Sequence, residues 1–235
     1  MNKSKIVKTT VAALTASAFL CAGFQSANAA VLANYTFNAS NGTSSDTDPN
    51  SVAGTFAGTG LTVSYNDPNF ATGDTVAIRA HTQSMATSDG TDYWSFTITP
   101  TAGNRLMLSG TAALTFQYAR SSTFTTWTYS WAVRSSLDGY TGTLASGSVT
   151  TPTQTWLPAS VDLSSAFDFQ DSAVTFRIYV WDGGDNSTFR FGYIDNVVLN
   201  GTVVPVPEPV NVALGVFGLC AVGFAAGRRY LRKRA

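Results

Sequence analysis

Hydrophobic and polar residues alternate along most of the middle of the chain. Leu114, Phe116 and Tyr118 are separated by Thr115 and Gln117, and Trp127, Tyr129, Trp131 and Val133 by Thr128, Ser130 and Ala132. Val174, Phe176, Ile178 and Val180 are likewise separated by Thr175, Arg177 and Tyr179. A period of two sends successive side chains to opposite faces, so these runs read as half-buried antiparallel strands. Shorter runs predict further strands over 31–37, 61–65, 75–79, 93–99, 105–108, 143–150, 156–163 and 189–199. No long segment between residues 30 and 204 repeats at the helical period. Turn pairs punctuate the runs, among them Asp138-Gly139 and Gly183-Gly184, where positive φ is reached at little cost. About ten short strands joined in this way predict an all-β fold, an antiparallel β-sandwich of jelly-roll type.

Two stretches depart from the alternation, one at each end. Residues 11–24 are apolar, follow Lys3, Lys5 and Lys8, and lead to Ala27-Asn28-Ala29. A basic start, an apolar run and small residues at Ala27 and Ala29 read as a secretory signal peptide, residues 1–29, cut by signal peptidase before Ala30. Residues 210–227 are mostly apolar and, as a helix of about 27 Å, just span a bilayer core. Arg228, Arg229, Arg232, Lys233 and Arg234 follow, a stop-transfer cluster that stays cytoplasmic and leaves the body of the chain outside. Ahead of the apolar run, Pro205, Pro207 and Pro209 favour an extended stalk that presents Glu208, the one glutamate of the chain.

Val206-Pro207-Glu208-Pro209, the short apolar segment and the Arg-rich end together resemble the PEP-CTERM sorting signal of Gram-negative bacteria. The resemblance covers residues 205–235. It implies that Val206, Pro207, Glu208 and Pro209 are read by an exosortase, a membrane transpeptidase. It further implies removal of the tail at the envelope and delivery of the body to the cell surface or the exopolysaccharide matrix. The expected organisation is a signal peptide (1–29), a β-sandwich ectodomain (30–204) and a sorting signal (205–235) with its transmembrane helix at 210–227 and basic tail at 228–235.

Charge sharpens this picture by exclusion. Residues 30–204 hold six arginines and no lysine against thirteen aspartates and no glutamate, so an acidic body sits between basic ends. Such a body lacks the basic face that nucleic acid requires. Cys21 and Cys220 both lie outside it, which removes disulfides, thiolate metal sites and a cysteine nucleophile. A glycosidase works with two carboxylates, usually including a glutamate. His81 is the only histidine, with no G-x-S-x-G elbow and no partner for zinc, and no Gly-rich phosphate loop follows a strand. The body therefore reads as non-enzymatic, with an exported hydrolase acting through His81 as a remote alternative.

Binding chemistry is easier to find. On the strand 174–181 the outward parity groups Arg177, Tyr179 and Trp181, and Thr115, Gln117, Thr128 and Ser130 have the same parity on two other strands. Flat rings suit the C–H faces of sugars, and guanidinium and hydroxyl groups suit their hydroxyls. Trp127, Tyr129 and Trp131 belong to the core on this reading. The segment 189–199, with Ile194-Asp195-Asn196-Val197, resembles the closing strand of jelly-roll modules in secreted bacterial proteins, carbohydrate-binding modules among them. That resemblance implies a structural Ca²⁺ at Asp195, with oxygen-only ligands; the other reading of Asp195 is a bulge or turn residue on an edge strand. No other cofactor is expected. The leading functional reading is an exported surface or extracellular-matrix protein associated with exopolysaccharide. The alternative is a polysaccharide-binding module that uses the Arg177 face.

Overall fold

The computed structural model describes residues 29–37, 41–46, 48–65, 78–81, 91–121, 127–150, 155–182 and 191–206, with residues 217, 218, 220, 221 and 223 beyond them. Fourteen strands lie among these: β1 (Ala30–Tyr35), β2 (Ser51–Ala53), β3 (Ala57–Thr59), β4 (Val63–Tyr65), β5 (Ile78–His81), β6 (Tyr93–Pro100), β7 (Asn104–Met107), β8 (Gly110–Arg120), β9 (Tyr129–Ser135), β10 (Ala145–Val149), β11 (Leu157–Leu163), β12 (Asp168–Gln170), β13 (Val174–Trp181) and β14 (Phe191–Pro205). Every pairing between them is antiparallel. The first sheet runs β11-β8-β14-β5-β4, with β1 and β7 also on β14 and β12 on β7; the second runs β10-β9-β13-β6-β2, with β3 on β6. The fold is an all-β antiparallel sandwich.

The alternation in sequence becomes an alternation in burial. On β6, Trp94, Phe96 and Ile98 are buried while Tyr93, Ser95 and Thr97 are half-buried on the other face. Aromatic rings close the space between the sheets. Tyr35 of β1 lies 5.4 Å from Phe96 of β6, and Phe116 of β8 lies 4.9 Å from Trp131 of β9. Phe96 continues to Phe176 at 5.4 Å and Phe176 to Phe167 at 5.9 Å. Trp127, Tyr129 and Trp131 are 2, 0 and 4% exposed, the core positions that their parity predicts. Gly192 is buried on β14 because the Tyr129 ring lies where its side chain would be, so even an alanine there collides with the ring.

β14 is the spine of the first sheet: it pairs with β8, β5, β1 and β7 along its fifteen residues. Its ladder with β8 slips between Asp195 and Val198, and Asn196 takes a left-handed φ of 49°. That is a β-bulge, with an extra residue accommodated by a side chain that tolerates positive φ.

Three observed strands, β2, β3 and β12, have no counterpart in the sequence reading; each is three residues long, too short to display a period. Of the strand predicted over 75–79, residues 75–77 lie outside the described residues, and β5 extends onward to His81, which pairs with Phe191. His81 therefore ends a strand instead of following one. At the other end, Pro205 pairs with Asn104, and the Val206 N–H donates to the Gly103 carbonyl at 2.8 Å. The strand thus runs one residue past 204, with Val206 hydrogen-bonded just beyond its end. Ala29 and Ala30 are exposed at the entry to β1. The signal peptide through Ala27, the residues Pro207, Glu208 and Pro209, and the cluster Arg228, Arg229, Arg232, Lys233 and Arg234 lie outside the described residues. Within 210–227, Phe217, Gly218, Cys220, Ala221 and Gly223 are helical and exposed. Among the described residues no helix is long and apolar enough to cross a membrane.

Candidate functional site

Among the described residues, the outer face of the second sheet gathers arginines, tyrosines and small hydroxyl side chains. Phe176, Ile178 and Val180 of β13 are buried in the core, so Thr175, Arg177, Tyr179 and Trp181 turn outward. Cross-strand register then selects their neighbours. Thr175 faces Thr97, Arg177 faces Ser95 and Tyr179 faces Tyr93 on β6. On β9, Arg177 faces Arg134 and Trp181 faces Ser130.

Arg177 is the centre of this group. Its guanidinium carbon lies 4.2 Å from the centroid of the Tyr93 ring and 3.6 Å from that of Tyr140, and its Nη1 donates to the Tyr179 hydroxyl at 3.3 Å. Tyr93 and Tyr179 pack at 5.3 Å between centroids. Arg134 lies over the Tyr179 ring at 4.9 Å and donates from Nη1 to the Tyr140 carbonyl at 3.4 Å. The Arg177 Nε makes no hydrogen bond among the described residues. Desolvation pulls its pKa down, but the Tyr179 hydroxyl and the charges of Tyr140, Tyr93 and Tyr179 outweigh it and hold the group above the ordinary arginine value. Arg177 is a permanent cation.

Tyr140 reaches Arg177 through a short turn. After β9, Ser136–Asp138 forms a single 3₁₀ turn closed by Gly139 at φ 69°, followed by Tyr140 at φ 65°. The Asp138 carboxylate accepts the N–H groups of Tyr140 at 3.1 Å and Gly142 at 2.7 Å. A left-handed tyrosine costs on the order of 1–3 kcal/mol, offset here by the hydrogen bonds to Asp138.

The sequence-predicted group is thus partly assembled. Arg177 and Tyr179 meet, and Trp181 lies on the same strand face. Tyr179 is only 4% exposed beneath Arg134, however, so its ring offers no open face to a ligand. Thr115 and Gln117 do not join them, because β8 belongs to the first sheet. Parity fixes the face of a strand but not the sheet that the strand enters. Tyr93, Tyr140 and Arg134 are the members that sequence reasoning missed. The outward parity of Tyr93 in the run 93–99 and the Asp138-Gly139 turn before Tyr140 are the signals that point to two of them.

Asp195 is 2% exposed on β14, a central strand instead of the edge strand of the bulge reading. One carboxylate oxygen accepts the Asn196 N–H at 2.7 Å and the other its Nδ2 at 3.3 Å; Asn196 Nδ2 also donates to Gln117 Oε1 at 3.2 Å. This geometry serves the bulge. Among the described residues no group of three His, Cys, Asp or Glu side chains is arranged to hold a metal ion.

Two further regions gather aromatic or charged side chains. On the outer face of the first sheet, Ala119 and Tyr193 are buried beside Trp156 and Phe191, with the Arg79 guanidinium 4.4 Å above the Phe191 ring. Near the start of β1, an open groove of about 350 Å³ is lined by Ala30, Val31, Asn34, Ser45, Asp46 and Asp48. Its two carboxylates cap local turns, Asp46 accepting from the Asp48 N–H and Asp48 from the Asn50 N–H. The nearby Tyr35 hydroxyl donates to the Gly54 carbonyl at 2.5 Å, and burial, then the Asp46 charge, raise its pKa.

No family model matches the chain, and no curated protein matches it. Several solved structures are similar in shape. A xylan-binding domain of carbohydrate-binding module family 22 is 12% identical, with 74% of this chain and 95% of that one covered and a TM-score of 0.38. A family 61 carbohydrate-binding module in complex with β-1,4-galactotriose is 13% identical over 73% of this chain and 98% of that one, at a TM-score of 0.34. The K1 cleaved adhesin domain of Lys-gingipain from Porphyromonas gingivalis W83 is 17% identical over 74% and 98%, at 0.38. Likenesses this weak assign nothing to the present chain.

Proposed function

We propose that this chain is an exported, non-catalytic β-sandwich protein of the bacterial envelope that binds polysaccharide through the outer face of its second sheet. We further propose that residues 205–235 are a sorting signal read by an exosortase, with residues 210–227 crossing the inner membrane until the tail is removed. Of the two readings of the body, passive matrix component and polysaccharide binder, the second is favoured by one observation. Arg177 is held between the rings of Tyr93 and Tyr140 on a solvent-facing sheet rimmed by Ser95, Thr97, Ser130 and Thr175. A guanidinium fixed in this way has already lost much of its rotamer freedom, so contact with a sugar hydroxyl or carboxylate costs little further ordering.

The test is electrophoresis of the purified protein through gels containing neutral and acidic polysaccharides. Wild type is expected to be retarded by at least one of them, and Arg177→Ala to migrate as in an empty gel with its melting transition still cooperative. Equal retardation of the variant, or no retardation of wild type in any gel, returns the body to the matrix reading.

A further inference from the structure

Four large apolar side chains of the sandwich are exposed among the described residues: Val31, Val52, Leu137 and Phe169, at 42, 59, 40 and 62%. Strand register puts all four at one end of the molecule. Val31 is opposite Asn200 in the last part of β14, and Val52 is opposite Thr99, the penultimate residue of β6. Leu137 follows β9 where the Ser136 hydroxyl oxygen accepts the Thr175 N–H at the start of β13. Phe169 sits in the irregularity of β12 across from Leu106 and Met107 of β7, which in turn face Val203 and Thr202. That end is also where the chain leaves the sheet, at Val206 on Gly103.

Phe169 is displayed by construction. It has a φ of 58°, a conformation bulky side chains avoid, and its neighbours fix it there. Gln170 Nε2 donates to the carbonyls of Ala166 and Asp168 at 2.9 Å each, and the Asp168 carboxylate accepts the Ser109 N–H at 2.9 Å and its hydroxyl at 2.7 Å. The braced turn keeps a phenyl ring exposed at the end where the chain leaves the sheet.

The length of chain beyond Val206 selects that surface. Only Pro207, Glu208 and Pro209 separate it from the apolar residues 210–227. Even fully extended, this link spans about 10–14 Å, against an interfacial headgroup layer of about 5–7 Å. We propose that, while the tail is attached, this end of the sandwich rests on the periplasmic surface of the bilayer with Phe169 inserted among the headgroups; the inference rests on the reading that 210–227 spans the membrane. Asp138, Asp162, Asp168 and Asp171 occupy the same end, against Arg105 paired with Asp171, and Arg134 and Arg177 on Tyr140 beside Asp138. Four carboxylates against three cations leave a slight negative excess, so contact is expected to weaken modestly on anionic lipid.

The full chain, made in a host without an exosortase and carrying Cys21→Ser and Cys220→Ser, is purified from membranes and reconstituted into phosphatidylethanolamine–phosphatidylcholine vesicles containing headgroup-level nitroxide lipid. A bimane label is placed by Phe169→Cys, by Val52→Cys, or by Ser148→Cys on an exposed position far from the exit. The expected result is several-fold stronger quenching at 169 than at 148, with 52 between them, and modestly weaker quenching at 169 as phosphatidylglycerol is added. Equal quenching at 169 and 148 in vesicles that retain the chain after alkaline carbonate would overturn this proposal alone. Loss of the chain to carbonate would overturn the membrane-spanning reading and the proposal with it. A 169–169 disulfide dimer in place of lipid quenching would assign the end to a second copy and overturn the lipid contact.

Discussion

On the outer face of the second sheet an arginine lies among three tyrosines, and on the outer face of the first an arginine lies over a phenylalanine. The ingredients are nearly the same, yet the two faces differ in what they leave open. Tyr93, Tyr140 and Arg177 are half-buried over a buried Tyr179, and the tyrosine rings end in hydroxyls. On the first face Arg79, Trp156 and Phe191 are half-buried too, over Tyr193 and Ala119 at 1 and 0% exposed, and the ring under the arginine ends in apolar carbon. Apolar area already withdrawn from water stabilises the fold and has little left to offer a ligand. Polar tips on half-buried rings, more than exposure, distinguish the proposed recognition surface from a face with a small core of its own.

Substitutions on each face sharpen or break that distinction. Tyr193→Ala removes a fully buried ring and is expected to cost about 3–5 kcal/mol in urea-induced unfolding, with polysaccharide retardation unchanged once the protein is folded. A loss below about 1 kcal/mol would mean that the first face is as open as the second. Arg177→Ala is expected to cost only about 1–2 kcal/mol, the worth of its ring contacts, while abolishing retardation. Arg177→Lys should not restore binding, because an ammonium cannot lie flat between two rings and donate from its edge. Asp171→Asn, which breaks the exposed pair with Arg105, should change stability by about 0–1 kcal/mol and binding not at all.

The smallest effect expected is that of pH. Arg177 stays charged at every accessible pH, so retardation should be flat from neutrality into the alkaline range. Stability behaves differently. Burial raises the pKa values of Tyr35 and Tyr129 in the folded state, so the unfolded chain releases those protons first. Their contribution is complete below the ordinary tyrosine value of about 10 and is lost as pH rises above it, which circular dichroism during alkaline titration would record.

Much of the sandwich is legible in the sequence because its strands are long enough to alternate. Val174 to Trp181 and Tyr93 to Pro100 announce both their existence and their buried faces. Thr115 and Gln117 show the limit, since nothing in a period of two reveals that β8 crosses to the other sheet. The site is legible in the same proportion. Arg177 follows from its parity, but the burial of Tyr179 depends on Arg134 arriving from a neighbouring strand, and Tyr140 depends on the Ser136–Asp138 turn, closed by Gly139, setting it against Arg177, a residue of another strand distant in sequence. Exposed Phe169 gave no signal at all, because a three-residue strand has no pattern to violate.

β14 also governs when the molecule can exist. As the last strand in chain order, it supplies the partners of β1, β5, β7 and β8. Until residues 197–201 are available, β1 has no ladder, and without β14 the first sheet consists of fragments. Contacts as distant in sequence as Ala30 with Gly201 must wait for the whole body to emerge, which makes folding a late and slow event with a high contact order. Under the proposed export of this chain, that postponement keeps the polypeptide loose during passage through a narrow channel and lets it lock only on arrival.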